Sequence, residues 1–386
     1  MKYWKFRSPK KIVFGIGSIE SSGYEINRIA KGRILIITDS VIIKEGILGK
    51  LLSELDRYDL KYEIYDNVNG EPTDAHVRES LNLYKESNCS AIVAIGGGSP
   101  IDTAKAVSAM AANPGEISDY MGLEKIIKKG PPIVAIPTTA GTGSEATPVT
   151  IITDIRTNVK MLIISEYIIP DIAIVDPILI ISCPPALTAA VGIDALTHAI
   201  EAYVSLKANP VTDMFALKAV NLIFLHLLEA YHNGKNLNAR EKVMLGSNMA
   251  GIAFGNSSVA LVHGMSRPIG ANFHVPHGVS NAALLSVVME YSYMANPDRY
   301  ADIASAMGIN ITGMEKIEAS KTCLESVKKL IYDLNIPALK DLGIKLDKLK
   351  ELAPIMAQAA IDSGSPANNP KIATKEEIIN LYMKAY

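Results

Sequence analysis

The sequence predicts an α/β N-terminal domain with a parallel, Rossmann-like sheet, followed by an all-α C-terminal domain. Three observations carry this. Short β-branched runs without polar alternation recur early in the chain and are separated by helical stretches, the pattern of a sheet covered on both faces. After Pro184-Pro185 helical periodicity dominates and such runs become few. The length, 386 residues, exceeds what one core usually holds. The change of texture falls near residues 177–186, giving expected domains of 1–182 and 183–386.

In order, "RILIIT" (33–38) suits a buried parallel strand, and a helical pattern follows from about Lys44 to Leu55. "AIVAI" (91–95) is a second strand, followed by glycines and the helical "PIDTAKAVSAMAA". "PIVAIPT" (132–138) is a third. "TIITD", "KMLIIS" and "IAIVD" (150–176) follow without helices between them and read as extra strands closing the domain. From Ala186 onward the pattern is helical, and "DSGSPANNP" (362–370) is a loop between the last helices.

Composition narrows the class. With 48% hydrophobic and 20% charged residues the chain reads as soluble and globular. A balance of 38 basic against 40 acidic residues gives no basic excess for nucleic acid or an anionic membrane. Cys89, Cys183 and Cys323 form no CxxC pair, so reduced thiols in a cytoplasm are expected rather than a disulfide framework or a cysteine zinc site. The start, "MKYWKFRSPKKIVFG", is basic but lacks the apolar core of a signal peptide. The most apolar run, "IIPDIAIVDPILIIS", is broken by Asp171, Asp176 and two prolines and does not suit a membrane span.

Four segments could carry chemistry. "AIVAIGGGSPIDTAK" is strand, glycine turn and helix start. Such a turn presents free N–H groups to an anion, with Ser99 placed to cap the helix; the plainer reading is a tight βα turn. GxGxxG is absent, and the candidate ribose acid lies upstream at Asp39. By spacing alone Asp39 is better read as a helix N-cap. "PTTAGTGSEATPVT" (137–150) crowds Thr138, Thr139, Thr142 and Ser144 into one loop, more hydroxyls than a turn needs. "GIDALTHAIEAYVS" (192–205) places Asp194 and His198 four apart on one face of an apolar helix. Either a mutual hydrogen bond or a metal would satisfy that pair. "VHGMSRPIGANFHVPHG" (262–278) adds His263, His274 and His277, which favours a metal.

These four segments, in this order and over nearly the whole chain, resemble the iron-containing (group III) alcohol dehydrogenases of the lactaldehyde reductase and propanediol dehydrogenase kind. The resemblance implies metal ligation by Asp194, His198, His263 and His277, with Fe²⁺ expected and Zn²⁺ suited to the same donors. It implies NAD rather than NADP, held by Gly97, Gly98 and Ser99 at the pyrophosphate. Thr138, Thr139, Thr142, Val149 and Lys160 fall at the nicotinamide or ribose, and Asp102 and Ser144 join the cofactor set. Asp39 becomes the adenosine-ribose acid, against the reading from spacing. Phe254 is similar to an aromatic lining the substrate pocket. The implied activity interconverts a small primary alcohol or diol and its aldehyde in a cleft between the domains of a homodimer or larger homo-oligomer. Many members carry histidine where this chain has Arg267, so either the proton leaves by another route, through His274 or water and the ribose hydroxyls, or Arg267 points away and plays a structural part. Many with an open diol pocket carry a polar residue at Val149. The rivals are a glycerol-dehydrogenase-like zinc enzyme, a dehydroquinate-synthase-like lyase, which would need more basic residues than Arg267, and a binding protein without catalysis.

Overall fold

The computed structural model describes residues 3–386, so the first two residues of the expected 1–182 domain lie outside the described chain. The chain forms two compact units, Arg7–Ser182 and Cys183–Tyr386, the second joined by the N-terminal segment up to Phe6. Phe6 stacks on Phe215 at 5.9 Å within that unit.

The first unit contains strands β1 (Lys11–Phe14), β2 (Ile34–Ile37), β3 (Tyr62–Tyr65), β4 (Ala91–Gly96), β5 (Gly122–Leu123), β6 (Ile133–Pro137), β7 (Val149–Asp154), β8 (Val159–Ile164) and β9 (Ile172–Val175). Six form a sheet in the order β1-β9-β6-β4-β2-β3, with every pairing parallel. Every residue of β2, β4, β6 and β9 is buried, which is why these strands read as unbroken apolar runs. The edge strand β3, "YEIY", is only partly buried and gave no such run.

Two expectations are corrected. Of the three strands expected to close the domain, only β9 joins the parallel sheet. β7 and β8 form an antiparallel hairpin in a separate three-stranded sheet with β5. The hairpin turns at Asp154, whose Oδ1 accepts from Arg156 N and Thr157 N. The helix expected from Lys44 to Leu55 is two helices, Ser40–Lys44 and Ile47–Arg57, parted at Gly46, whose φ of 71° breaks the α-conformation.

From β2 the chain runs outward to β3 and then returns to β4 on the other side of β2. The order therefore reverses between β2 and β4, and the crevice beyond their carboxyl ends is where such sheets bind ligands.

The second unit is helical. Helices Pro185–Val204, Pro210–His232 and Leu237–Ser257 pack mutually. Glycines permit the close approach: a Cβ on Gly192 would stand 2.2 Å from Leu227 Cδ1, and one on Gly246 2.6 Å from Ile223 Cγ1. Pro210–His232 is long and apolar enough to cross a membrane, but its Ala216, Ala219, Ile223 and Leu227 are buried among its neighbours. Leu261–Phe273 and His277–Ser292 complete the part of the unit that carries the histidines. Residues 362–370 connect the last two helices through a short 3₁₀ turn at Pro366–Asn368.

Candidate active site

In the sheet unit, three strand ends bring the first group of candidate residues together. β4 ends at Gly96, and Gly97 precedes the helix Gly98–Ala112 with no side-chain cap among the described residues. Its first N–H groups are thus left for a ligand. Ser99, expected as the cap, lies inside the first turn instead, and its carbonyl accepts from Thr103 Oγ1 at 2.9 Å. The glycines are required by what surrounds them. A Cβ on Gly96 would stand 2.6 Å from Pro100 Cγ, and one on Gly98 2.9 Å from Thr142 Cγ2. Thr139 borders Gly97 at 3.6 Å from the same construction. Thr138 follows β6 and donates its N–H to Gly96 O at 2.9 Å, so the hydroxyl loop is hung on the glycine turn.

Asp39 caps a helix, as its spacing suggests. Its Oδ1 caps the helix Ser40–Lys44, accepting from Val41 N at 2.9 Å and Ile42 N at 3.1 Å. Its Oδ2 lies 3.3 Å from where a Gly96 Cβ would stand, so one oxygen caps and the other faces the turn.

Beneath the loop lies a buried network. Asp102 Oδ1 accepts from Ser144 Oγ at 2.6 Å, and Oδ2 from Ile151 N at 2.8 Å. Lys105 Nζ donates to Ser144 Oγ (2.9 Å), Thr147 Oγ1 (3.1 Å) and Val149 O (2.7 Å). Burial pulls the Lys105 pKa down to about 8 against the carboxylates of Asp102 and Glu145. Asp102 and Ser144, expected at the cofactor, are tied to each other and to Lys105. Sequence reasoning missed Lys105; its signal was a lone cation three residues after Asp102 on an otherwise apolar helix. Lys160, on β8, pairs with Glu71 at 2.6 Å.

The helical unit carries a second group of candidate residues of its own. Asp194, His263 and His277 each bring one donor atom into a group whose members all lie within 4.8 Å of one another. Asp194 and His263 are buried. His263 Nε2 is 3.5 Å from Asp194 Oδ1, close to the ~3.4 Å edge of a tetrahedron of N and O donors around a small divalent cation. The donor set therefore fits a divalent metal. His198 borders it: its ring stacks on Phe254 at 4.2 Å and lies 4.3 Å from that of His263, with Nδ1 3.9 Å from Asp194 Oδ1. Phe254 is thereby brought to the cluster.

Glu201 supplies what the sequence did not assign. Its Oε2 contacts His263 Nδ1 at 2.6 Å and accepts from Ala260 N at 3.0 Å, while Oε1 accepts from Val262 N at 2.6 Å. It fixes the start of the helix Leu261–Phe273 and turns His263 Nε2 toward the other donors. Burial opposes a charge on His263, but Glu201 and Asp194 outweigh it and raise its pKa. Burial likewise opposes ionisation of Asp194, and the neighbouring histidines override it, holding the carboxyl well below its usual range. Glu201→Gln is expected to weaken cation binding about 10–100-fold, measured by chelator competition. An unchanged affinity would remove Glu201 from the site.

His274 and Arg267 do not join the converging donors. His274 is exposed and caps the helix Leu261–Phe273 with a left-handed φ of 55°. Arg267 donates from Nη1 to Ser365 Oγ at 3.1 Å, anchoring the 362–370 segment.

A parallel sheet with an anion-ready turn at its switch point, in one chain with an Asp/His donor cluster, defines the class: a metal-dependent enzyme with a nucleotide-binding sheet. The chain belongs to the iron-containing alcohol dehydrogenase family. Residues 9–177 match the model of the iron-containing alcohol dehydrogenase domain, and residues 188–386 that of the family's C-terminal domain. The chain is 39% identical to 1,3-propanediol dehydrogenase of Klebsiella pneumoniae over 381 residues, 98% of this chain and 97% of that one. It is 39% identical to lactaldehyde reductase of Escherichia coli (strain K12) over 376 residues, 97% of each. A crystal structure of a 1,3-propanediol oxidoreductase superposes with a TM-score of 0.96 at 38% identity, covering 100% of both chains. The lyase and binding-protein alternatives are set aside by this membership.

Proposed function

We propose that the enzyme interconverts a small primary alcohol or diol and its aldehyde with NAD(H), using Fe²⁺ held by Asp194, His198, His263 and His277. The observation that carries the reading is the convergence of buried Asp194 and His263 with half-buried His277, with Glu201 behind His263. When bound, the cation would supply Lewis acidity and the nicotinamide hydride-accepting capacity. Zn²⁺ suits the same donors; iron is favoured by the family.

The chain's own residues divide the remaining work. The glycine turn and the free N-terminus of its helix receive the pyrophosphate, and Thr139 and Thr142 border it. Phe254, half-buried against His198, gives the donor cluster an apolar wall that suits a short carbon chain. Arg267 stays protonated and so accepts no proton from the alcohol. Its bond to Ser365 supports a structural role. The buried free thiols of Cys89 and Cys323 suit a reducing cytoplasm, and the exposed aromatics Tyr3 and Trp4 suit a homo-oligomer.

The test is NADH formation by anaerobically purified, Fe²⁺-loaded protein over a panel of ethanol, 1-propanol and 1,2- and 1,3-propanediol. Turnover with none of them would reject the reading. NAD preference follows from Asp39, because a 2′-phosphate beside Oδ2 would bring like charges together. Asp39→Gly is expected to raise kcat/KM for NADP⁺ about tenfold or more relative to NAD⁺. Glycine is a tolerated N-cap, so the loss of Oδ1 costs only about a few tenths of a kcal/mol. Equal use of both cofactors by the parent would contradict the assignment.

A further inference from the structure

We infer that Asn368 is a positioning residue for the donor cluster. Its side chain holds the link between the Phe254 helix and the His263 helix in a conformation that the link would not keep alone, and so sets how Glu201 meets His263. The inference rests on the ligand assignment proposed above.

The helix Leu237–Ser257, which carries Phe254, ends at Ser258, and the helix Leu261–Phe273, which carries His263, begins at Leu261. Ser258 has φ 70° and ψ 162°, a region of backbone space nearly confined to glycine because a Cβ there crowds the backbone. A serine keeps such a conformation only where its surroundings hold it there. On one side, Ser258 N–H donates to Phe254 O at 2.7 Å and closes the last turn of the first helix. On the other, Ala260 N and Val262 N donate to Glu201 at the start of the second.

Asn368 holds what lies between. It is buried, and its Nδ2 donates to Ser258 Oγ at 3.1 Å and to Val259 O at 3.0 Å. An amide has two N–H donors, and both are spent on the two sides of one peptide bond. Its backbone carbonyl accepts from Leu206 N at 2.8 Å, just beyond the helix Pro185–Val204 that carries Asp194, His198 and Glu201. Ser205 Oγ donates to Ser257 O at 2.7 Å and ties the same two places again. One asparagine thus joins the end of the helix that bears Glu201 to the start of the helix that bears His263. Its neighbours brace that second helix directly: a Cβ on Gly264, beside His263, would stand 2.7 Å from Pro366 Cγ.

The link leads to the two N–H groups that Glu201 accepts, and the same carboxylate holds His263 Nδ1 at 2.6 Å. If Ser258 relaxes to an ordinary serine conformation, Ala260 and Val262 swing away from Glu201, and His263 loses its set orientation. A residue that only filled space would change stability and leave the cation affinity of the folded protein alone. Glycine at position 258 separates the two roles, because it adopts this conformation without support.

The experiment is equilibrium chelator competition with Zn²⁺, with Co²⁺ absorption reporting the donor geometry, on full-length parent, Asn368→Ala, Ser258→Gly, the double variant and His263→Ala. Asn368→Ala is expected to bind Zn²⁺ about tenfold more weakly than the parent and to alter the Co²⁺ spectrum. Adding Ser258→Gly to it is expected to restore Zn²⁺ affinity to within about twofold of Ser258→Gly alone. Where Asn368→Ala does not fold, Asn368→Ser, which keeps the backbone bond to Leu206 N, takes its place in both measurements. Parent-like Zn²⁺ binding without the Asn368 amide, or a double variant no tighter than the Asn368 variant, overturns the positioning role and leaves the ligand assignment standing. Parent and His263→Ala binding Zn²⁺ alike overturns both.

Discussion

His263→Ala is expected to abolish alcohol oxidation and to lower cation affinity more than about 100-fold while NADH still binds. The substitution removes one donor of the cluster and also strips Glu201 of its 2.6 Å partner, leaving a buried carboxylate with only the Ala260 and Val262 N–H groups. Loss of one member of such a buried pair costs about 3–5 kcal/mol, so the variant should also melt earlier. The glycine turn, Asp39 and Thr142 belong to the other compact unit and keep their own contacts. Metal content and an NADH fluorescence titration check the two halves separately. Full metal occupancy would refute the ligand assignment, and loss of NADH binding would refute the division of labour.

Lys105→Met is expected to be the most damaging change in the sheet unit. Lys105 Nζ joins Ser144, Thr147 and Val149 O, and so ties the glycine-turn helix to the hydroxyl loop and to β7. Without it Asp102 is left half-buried beside no cation and three hydrogen bonds of a charged donor are lost, a cost of about 1–3 kcal/mol, and KM for NAD⁺ should rise as the loop loosens. The pH dependence gives a second test. Lys105 titrates near 8 in the folded protein and at 10.5 when unfolded. Between these values the unfolded chain binds the extra proton, so the contribution is complete above 10.5 and is lost as pH falls through 8. The parent's stability advantage over Lys105→Met should therefore widen, by up to about 3 kcal/mol, as pH rises from 8 toward 10.5. Denaturant midpoints at pH 7.5 and 10 measure it, and an advantage that narrows would contradict the burial of a charged amine.

Much of this architecture was legible because the signals are local. Fully buried parallel strands write themselves as unbroken apolar runs, and Asp194 and His198 announce themselves four apart on an apolar helix. The edge strand β3 did not, since half-exposed positions admit Glu63 and tyrosines. The segments of β7 and β8 were legible as extra strands, but not as a separate sheet, because strand propensity does not encode partners. What stayed hidden was the support around the reactive groups. Glu201 meets His263 across 62 positions, and Lys105 meets Val149 across 44, so no spacing rule reveals them. Asn368 meets Ser258 across 110 positions, and an asparagine in a loop has many uses. Only its two bonds to the Ser258–Val259 link separate this one. Asp39 was legible as a cap from spacing alone, and its Oδ1 does cap the helix Ser40–Lys44 while Oδ2 faces the glycine turn.

The most direct test of the account is a stoichiometric titration. Metal-stripped parent enzyme, kept free of oxygen, receives increasing Fe²⁺ in the presence of NAD⁺ and 1,3-propanediol, and NADH formation is followed at each point. The account predicts no turnover without metal, a linear rise that breaks at one Fe²⁺ per chain, and a flat response from His263→Ala. Turnover by the stripped enzyme, or an equal response from the variant, would contradict it.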